Sequence, residues 1–112
     1  MTVIARTLLE AKQAEGVQTT QYTAPASTRT IIDKMTATNT TAGAVTLSVN
    51  LVASGGAAAA GNLIVSAQSI AAGTSYLLPE VVGHILNPGD FVSTLAGAAA
   101  SITIRISGRE VS

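Results

Sequence analysis

Apolar and polar side chains alternate along several stretches of the chain, and this alternation predicts β-strands. Residues 45–53 (VTLSVNLVA) and 102–107 (ITIRIS) show it most regularly. A period of two places successive side chains on opposite faces of a strand, so each segment would have one buried face. Their valines and isoleucines are β-branched, which suits a pleated surface. The positions predicted to face the core are Val45, Leu47, Val49, Leu51, Ala53, Ile102, Ile104 and Ile106.

Five further segments have a weaker strand pattern, and turn signals separate them. The strongest turn is Asn87-Pro88-Gly89-Asp90, in which proline presets one φ angle and Gly89 can adopt the positive φ of a type II turn. Residues 80–86 (EVVGHIL) are compatible with a strand or with one helical turn. Short strands separated by such turns indicate an antiparallel β-sandwich or a jelly roll. The five segments are residues 29–39, 63–70, 91–95 (with Phe91 and Leu95 on one face), 17–23 and 74–78.

The N-terminal segment is ambiguous on sequence grounds. Residues 4–15 (IARTLLEAKQAE) could form a short helix, because Ile4 and Leu8 are spaced to share a helical face. They could equally form an extended arm that becomes ordered only on a neighbouring subunit. The predicted organisation is therefore an arm or short helix in residues 1–16, followed by one β-sandwich domain in residues 17–112.

Composition indicates a small aliphatic core. Apolar residues make up 47% of the 112-residue chain, but aromatic residues only 3%. A chain of this length forms one domain. Aromatic side chains usually contribute much of the buried area of cores and interfaces, so a core without them is expected to be modest in stability. Self-association or docking onto another protein would then help the fold.

Charge and cysteine content narrow the functional classes. The six basic residues balance six acidic ones and are scattered along the sequence, so no basic patch for nucleic acid is expected. No run of about 20 apolar residues predicts a membrane span. Arg6 and Glu10 interrupt the N-terminal apolar stretch, which therefore does not resemble a secretory signal. Cysteine is absent, which excludes disulfides and thiolate metal sites.

A search for catalytic or metal-binding patterns yields no candidate site. His84 is the only histidine and is expected to be structural, and no serine lies in a nucleophile-elbow motif. The carboxylates have neither the spacing of metal ligands nor the pairing of a glycosidase. We therefore expect no catalytic, cofactor-binding or metal-binding residues and no enzymatic activity. The carboxylates considered are Asp33, Glu80, Asp90 and Glu110.

Residues 53–62 (ASGGAAAAGN) form a loop of small side chains that is too long for a tight hairpin. It could be a flexible exposed loop, or a surface that packs closely against another subunit, because small side chains permit close backbone approach.

Arg105 lies on the polar face of a predicted strand. It is expected to be a solvated or ion-paired charge or, alternatively, an interface contact. Tyr22 and Tyr76 are expected to be partly buried in the sandwich.

A resemblance to small virion proteins of tailed bacteriophages rests on the order of short sequence features. Residues 21–56 (QYTAPASTRTIIDKMTATNTTAGAVTLSVNLVASGG) contain Tyr-Thr-Ala-Pro-Ala, a strand rich in isoleucine and threonine, a Thr-Asn-Thr break, an alternating strand and a Gly-Gly loop. The later stretches SIAAGTSYLLPEVVGHILNPGDFVSTLAG and ITIRISGREVS follow the same layout. The resemblance covers roughly residues 17–112 and consists of turn and strand patterns.

The resemblance implies a structural β-sandwich located in the virion and assembled in the cytoplasm of the host bacterium. It implies a capsid decoration or cement protein that binds the outside of the head. The alternative is a neck, collar, tail or fibre subunit, with binding of a host receptor or carbohydrate as a further option. The implied partners are the major capsid protein or other virion proteins, and copies of the chain itself in a dimer or trimer. No nucleic acid, membrane or cofactor is implied.

Overall fold

The protein folds into two antiparallel β-sheets, as seen in a computed structural model that describes all residues from 1 to 112. The predicted β-sandwich is confirmed, and a short 3-10 turn at Ala60–Asn62 is the sole helical element. Each sheet has a polar or partly covered outer face, and the core lies between the sheets. The strands are β1 (Val3–Gln13), β2 (Thr19–Thr23), β3 (Arg29–Asn39), β4 (Val45–Val52), β5 (Leu63–Ile70), β6 (Ser75–Tyr76), β7 (Ile85–Leu86), β8 (Phe91–Ala96) and β9 (Ile102–Val111).

The strand order is that of a jelly roll. Sheet A contains β1-β9-β3-β6, with β7 also pairing with β3, and sheet B contains β2-β8-β4-β5. Strands from the first half of the chain pair with strands from the second half in reverse order: β1 with β9, β2 with β8, β3 with β6 and β7, and β4 with β5. The chain is thus a long hairpin wound into two sheets, which is the jelly-roll arrangement.

Strand β1 corrects the expectation for residues 4–15. These residues are not helical: Val3–Gln13 is a strand that pairs with β9 of the same chain, and Leu8 and Ala14 belong to the core. The segment is extended, as one alternative held, but it is an edge strand of sheet A and not an arm separate from the sandwich. Two β-bulges interrupt the register of β1 with β9. Because of them, the consecutive apolar residues Leu8 and Leu9 both contact the core, and the alternation typical of a strand is lost.

The two ends of the chain meet beside β1 and β9. The backbone amide of Thr2 donates to the carbonyl of Ser112 at 2.7 Å, and the amide of Ser112 donates back to Thr2 at 2.9 Å. This reciprocal pair continues the β1–β9 ladder to the last residue. The ladder therefore joins the beginning and the end of the fold.

An aliphatic core fills the space between the sheets. The isoleucines of β9 that were predicted to face inward are fully buried, as are Leu47 and Val49 of β4. Strand β3 changes face at a bulge next to Asp33, so that its buried positions are even-numbered before the bulge and odd-numbered after it. The fully buried large side chains are Ile32, Met35, Leu47, Val49, Val52, Leu78, Val81, Leu86, Val92, Ile102, Ile104 and Ile106.

Strand β4 differs from the sequence expectation at one position, whereas β8 agrees with it. In β4, Leu51 packs against the core as predicted, but Ala53 is exposed and lies beyond the strand end. In β8, Phe91 and Leu95 do share a face, but it is the outer one: Leu95 is exposed, whereas Val92 in between is fully buried.

Residues 75–86 cover the edge of β3 without forming a long strand. The short strands β6 and β7 pair with the two ends of β3, and turns occupy residues 79–83 between them. Leu78 and Val81 insert fully into the core. The open question for residues 80–86 is therefore resolved as a turn followed by a two-residue strand.

Candidate interaction surface

The four carboxylates considered from the sequence each make a separate structural contact. Asp33 makes a bidentate ion pair with Arg109, with both N–O distances at 2.9 Å. The Asp33 carboxyl pKa is lowered by hydrogen bonding to that guanidinium. His84 is exposed in the turn before β7, and its backbone carbonyl accepts from Ile32. No group of three or more His, Asp or Glu side chains is placed to hold a metal ion.

Asp90 anchors the turn that the sequence predicted. Gly89 has φ +86°, and the Asp90 amide donates to the Asn87 carbonyl at 2.9 Å, as a type II turn requires. The Asp90 carboxylate accepts from the backbone amides of Asn87 and Ser54, both at 3.0 Å. This carboxylate therefore ties the turn to the beginning of the small-residue loop.

A polar cluster joins the two sheets at one end of the sandwich. Tyr22 donates to Glu110 at 2.6 Å and lies 2.7 Å from the hydroxyl of Thr30, and Arg6 pairs with Glu110 at 3.0 Å. Burial, together with the hydrogen bond to Glu110, raises the pKa of Tyr22 to about 12. The expected partial burial of Tyr22 is thus observed, and its hydroxyl has a structural partner in the other sheet.

Tyr76 is also partly buried, as expected, and packs against the core from β6. Its hydroxyl donates to Glu80 at 2.8 Å, and that hydrogen bond raises the pKa of Tyr76. Neither tyrosine extends from the surface as an aromatic anchor.

The loop of residues 53–62 lies on the outer face of sheet B and is held there. Asn50 of β4 donates to the Ala59 carbonyl at 3.0 Å and to the Asn62 side chain at 2.7 Å. Val52 is buried although it lies outside the main core cluster. A Cβ added to Gly56 of the loop would be 3.3 Å from Cγ1 of Val52. The loop therefore covers Asn50 and Val52, two outward-facing residues of β4. The alanine and glycine residues of the loop form the surface in their place.

All six cationic side chains belong to one sheet. They are scattered in sequence, but the fold places every one on a strand of sheet A, together with the carboxylates of Glu10, Asp33 and Glu110. The strands of sheet B contain no charged residue. The two faces of the sandwich therefore differ: one carries a net positive charge and the other is neutral. The six cations are Arg6, Lys12, Arg29, Lys34, Arg105 and Arg109.

A shallow groove of about 290 Å³ runs along the outer face of sheet A. Its floor is made by β3 and β9, which are adjacent and paired. Arg105 lines it and is exposed, with its guanidinium 3.3 Å from the hydroxyl of Thr7. The side chains that line the groove are Lys34, Thr36, Thr38, Thr103, Arg105 and Ser107.

This groove was not predicted from the linear sequence. Its signal was present as alternate polar residues in each strand, Lys34-Thr36-Thr38 and Thr103-Arg105-Ser107. Only the register between β3 and β9 shows that the two rows are adjacent.

The structure has no helix with the length and apolarity needed to cross a membrane.

Comparison with known proteins shows a distant similarity in fold. No protein-family model matches the chain, and no curated protein matches it. Among solved structures, the chain is similar to one in the structure of infectious bursal disease virus, Gx strain, with a TM-score of 0.52 and 16% sequence identity. The similarity covers 97% of this chain and 32% of that chain. The protein is thus a jelly-roll β-sandwich whose fold also occurs within a longer chain of a virus structure.

Proposed function

We propose that this chain is a structural protein of a virus particle and not an enzyme. The observation that carries the proposal is the jelly-roll topology. The fold is similar to part of a chain in a virus structure, and the similarity covers 97% of the present chain. Jelly rolls are frequent among viral capsid domains, where their broad faces and edges form contacts between subunits. All side-chain carboxylates of this chain except that of Glu10 form hydrogen bonds or ion pairs within it, which agrees with a role in packing.

The finer proposal is a decoration or cement protein of a tailed bacteriophage, bound to the outside of the head. The layout of residues 21–56 and of the later strands supports it. The neutral outer face of sheet B and the small side chains of residues 53–62 offer a surface that can lie closely against another protein. In this role, the chain contacts neighbouring major capsid subunits and strengthens the shell.

Self-association into dimers or trimers is part of the proposal. Virus shells have symmetry axes, and a decoration protein bound at such an axis repeats its contacts around it. Contacts that are weak singly become effective when one oligomer docks at several points. Exposed apolar residues such as Leu77 and Ile85, on the segment beside β3, are available for such contacts.

The alternative location is the neck, collar, tail or a fibre, with a role in attachment to a receptor or carbohydrate. Jelly rolls also occur in lectin domains. Aromatic side chains that stack on a sugar would support this alternative, but Tyr22 and Tyr76 both pack against the core, and Phe91 on the outer face of sheet B is half-buried. We therefore favour the head.

Particles assembled with and without this chain would test the proposal. We expect particles lacking it to form intact heads that open more readily on heating or under osmotic shock. A particle reconstruction should then show density for the chain on the outer head surface. Intact, stable heads combined with failed tail assembly or adsorption would instead support the neck or tail location.

A further inference from the structure

Three cations of sheet A have no carboxylate partner. Arg6, Lys12 and Arg109 each lie within 3.0 Å of a carboxylate oxygen of Glu110, Glu15 and Asp33, respectively. Arg29, Lys34 and Arg105 form no ion pair, and all three are exposed. The exposed carboxylate of Glu10 on β1 can offset at most one of these charges, so a net positive charge remains on the strands of sheet A.

Two of these cations are arranged diagonally across the groove. Lys34 is opposite Ser107 in the register of β3 and β9, and Thr36 is opposite Arg105. Diagonal neighbours on one face of an antiparallel pair are about 7–8 Å apart, with their Cβ atoms somewhat closer. Hydroxyl groups of Thr36 and Ser107 occupy the other two corners, and the pair Thr38–Thr103 continues the row. The groove thus offers two separated charges surrounded by hydrogen-bonding hydroxyls.

This spacing suits an extended acidic peptide. Residues i and i+2 of an extended chain project to the same side about 7 Å apart, which is close to the diagonal separation of Lys34 and Arg105. We propose that this groove docks an extended segment with acidic residues at alternate positions, contributed by the shell protein that the chain coats. The proposal rests on the proposed function for the identity of the partner, and on the groove for its chemistry.

A protein segment fits the groove better than a nucleic acid does. Tight nucleic-acid binding uses many phosphate contacts, and single strands also stack their bases on aromatic side chains. The groove has two cations and no aromatic side chain. Its threonine and serine hydroxyls can instead bond to carboxylates and peptide groups, which supplies direction in addition to charge.

The first test uses the isolated protein and a synthetic peptide with glutamate at alternate positions. We expect saturable binding by NMR titration, with shifts concentrated on the six groove residues. Raising the salt from about 0.05 M to about 0.5 M should weaken it, because exposed charges are screened. A scrambled peptide of the same composition and an oligothymidylate of the same charge should bind more weakly. Absence of saturable binding, or tighter binding of the oligonucleotide, would overturn the proposal.

A matched pair of variants locates the charge effect. Lys34→Gln with Arg105→Gln removes two charges from the groove, and we expect it to weaken peptide binding about five- to tenfold. The control, Ala26→Glu with Ala72→Glu, lowers the net charge by the same amount at exposed positions in the turns after β2 and β5, outside both the groove and the strands of sheet B. It should leave binding unchanged. Equal weakening in both variants would show a non-specific effect of net charge and contradict the groove.

The second test uses shells assembled from the shell protein, and it separates the two proposals. If the unaltered chain binds the shells and the groove variant binds them poorly while the control binds normally, both proposals hold. If the unaltered chain and the groove variant bind equally, the docking groove is wrong and the decoration role stands. If the unaltered chain does not bind the shells but still binds the alternating peptide, the decoration role is wrong.

Discussion

Tyr22 donates its hydroxyl hydrogen to the carboxylate of Glu110 over 2.6 Å, linking β2 of sheet B to β9 of sheet A. Polar side chains at the end of a sandwich commonly face water, but here the hydroxyl is partly shielded and has two partners in the opposite sheet, Glu110 and Thr30. Hydrogen bonds to charged groups contribute more than neutral ones. This pair therefore fixes the two sheets relative to each other at a point where the aliphatic core ends.

The first prediction concerns alkaline pH. The pKa of Tyr22 is raised to about 12, so between pH 10 and about 12 the folded chain keeps a proton that the unfolded chain loses. Stability should therefore be complete below pH 10 and fall as the pH rises through this window. Tyr22→Phe should flatten the fall, as measured by urea unfolding at several pH values. Tyr76→Phe is the control and should retain most of the fall in stability with pH. If stability falls equally steeply with pH in both variants, the assignment of this effect to Tyr22 is wrong.

The second prediction tests whether β1 is part of the core. Leu8→Ala should lower the free energy of unfolding by about 2–4 kcal/mol, because Leu8 packs in the main cluster. Ile4→Ala on the same strand should change it by at most about 0.5 kcal/mol, since Ile4 is 43% exposed. Urea unfolding measures both. Negligible effects at both positions would mean that the segment is a detachable arm after all.

The third prediction concerns the close packing of β9 against β3. A Cβ on Gly108 would overlap the carbonyl oxygen of Ile31 and lie 2.9 Å from Cδ1 of Leu8. Gly108→Ala should therefore destabilise the fold by about 3 kcal/mol, the upper end for overpacking. Gly43→Ala is the control, because nothing lies within 4 Å of its added Cβ. Equal thermal stability of the two variants would show that the strands are less tightly packed.

The fourth prediction concerns the turn at Gly89. Its φ of +86° disfavours side chains, and an added Cβ would approach Oγ of Ser54 to 2.5 Å. Gly89→Val should cost at least about 1 kcal/mol. Combining Gly89→Ala with Ser54→Gly removes the contact but keeps the backbone strain. If that double variant is as stable as Ser54→Gly alone, strain at Gly89 is not the cause.

The fifth prediction concerns the loop of residues 53–62. Asn62 accepts from Asn50 and from the Ala59 amide, and donates to the Ala57 carbonyl at 2.9 Å. Asn62→Ala should release the loop, increase its rate of proteolytic cleavage and cost about 1–2 kcal/mol. Gln68→Ala, an amide on the neighbouring strand β5 that bonds only to Ser69, should leave the cleavage rate unchanged. Rapid cleavage of the unaltered loop would contradict this anchoring.

Regular alternation made much of the fold predictable. The bounds of β3 and β5 coincide with the segments expected from sequence, and the isoleucines of β9 face the core as predicted. The failures have local causes. In β1, two bulges allow the adjacent residues Leu8 and Leu9 both to contact the core. The apolar positions therefore do not alternate, and their spacing resembles that of a helix. In β4, Val52 faces outward and is buried only because a loop folds over it, which alternation cannot reveal.

The surface features depend on contacts distant in sequence. Lys34 and Arg105 belong to opposite halves of the chain, and each alone reads as an ordinary exposed charge. Their relation follows from the register of β3 with β9, which forms only when the hairpin winds into two sheets. Similarly, the sorting of all cations onto sheet A reflects strand order, and the linear charge pattern contains no sign of it.

The reciprocal hydrogen bonds between Thr2 and Ser112 make the molecule nearly circular. A linker of a few residues would close the backbone without disturbing β1 or β9, and new ends opened elsewhere, for example in the turn at residues 97–101, would preserve every strand. The same geometry lets the whole sandwich be inserted into a loop of another protein, entering and leaving through one narrow point. Fluorescent or affinity tags attached at either end would therefore start from neighbouring points on the molecule.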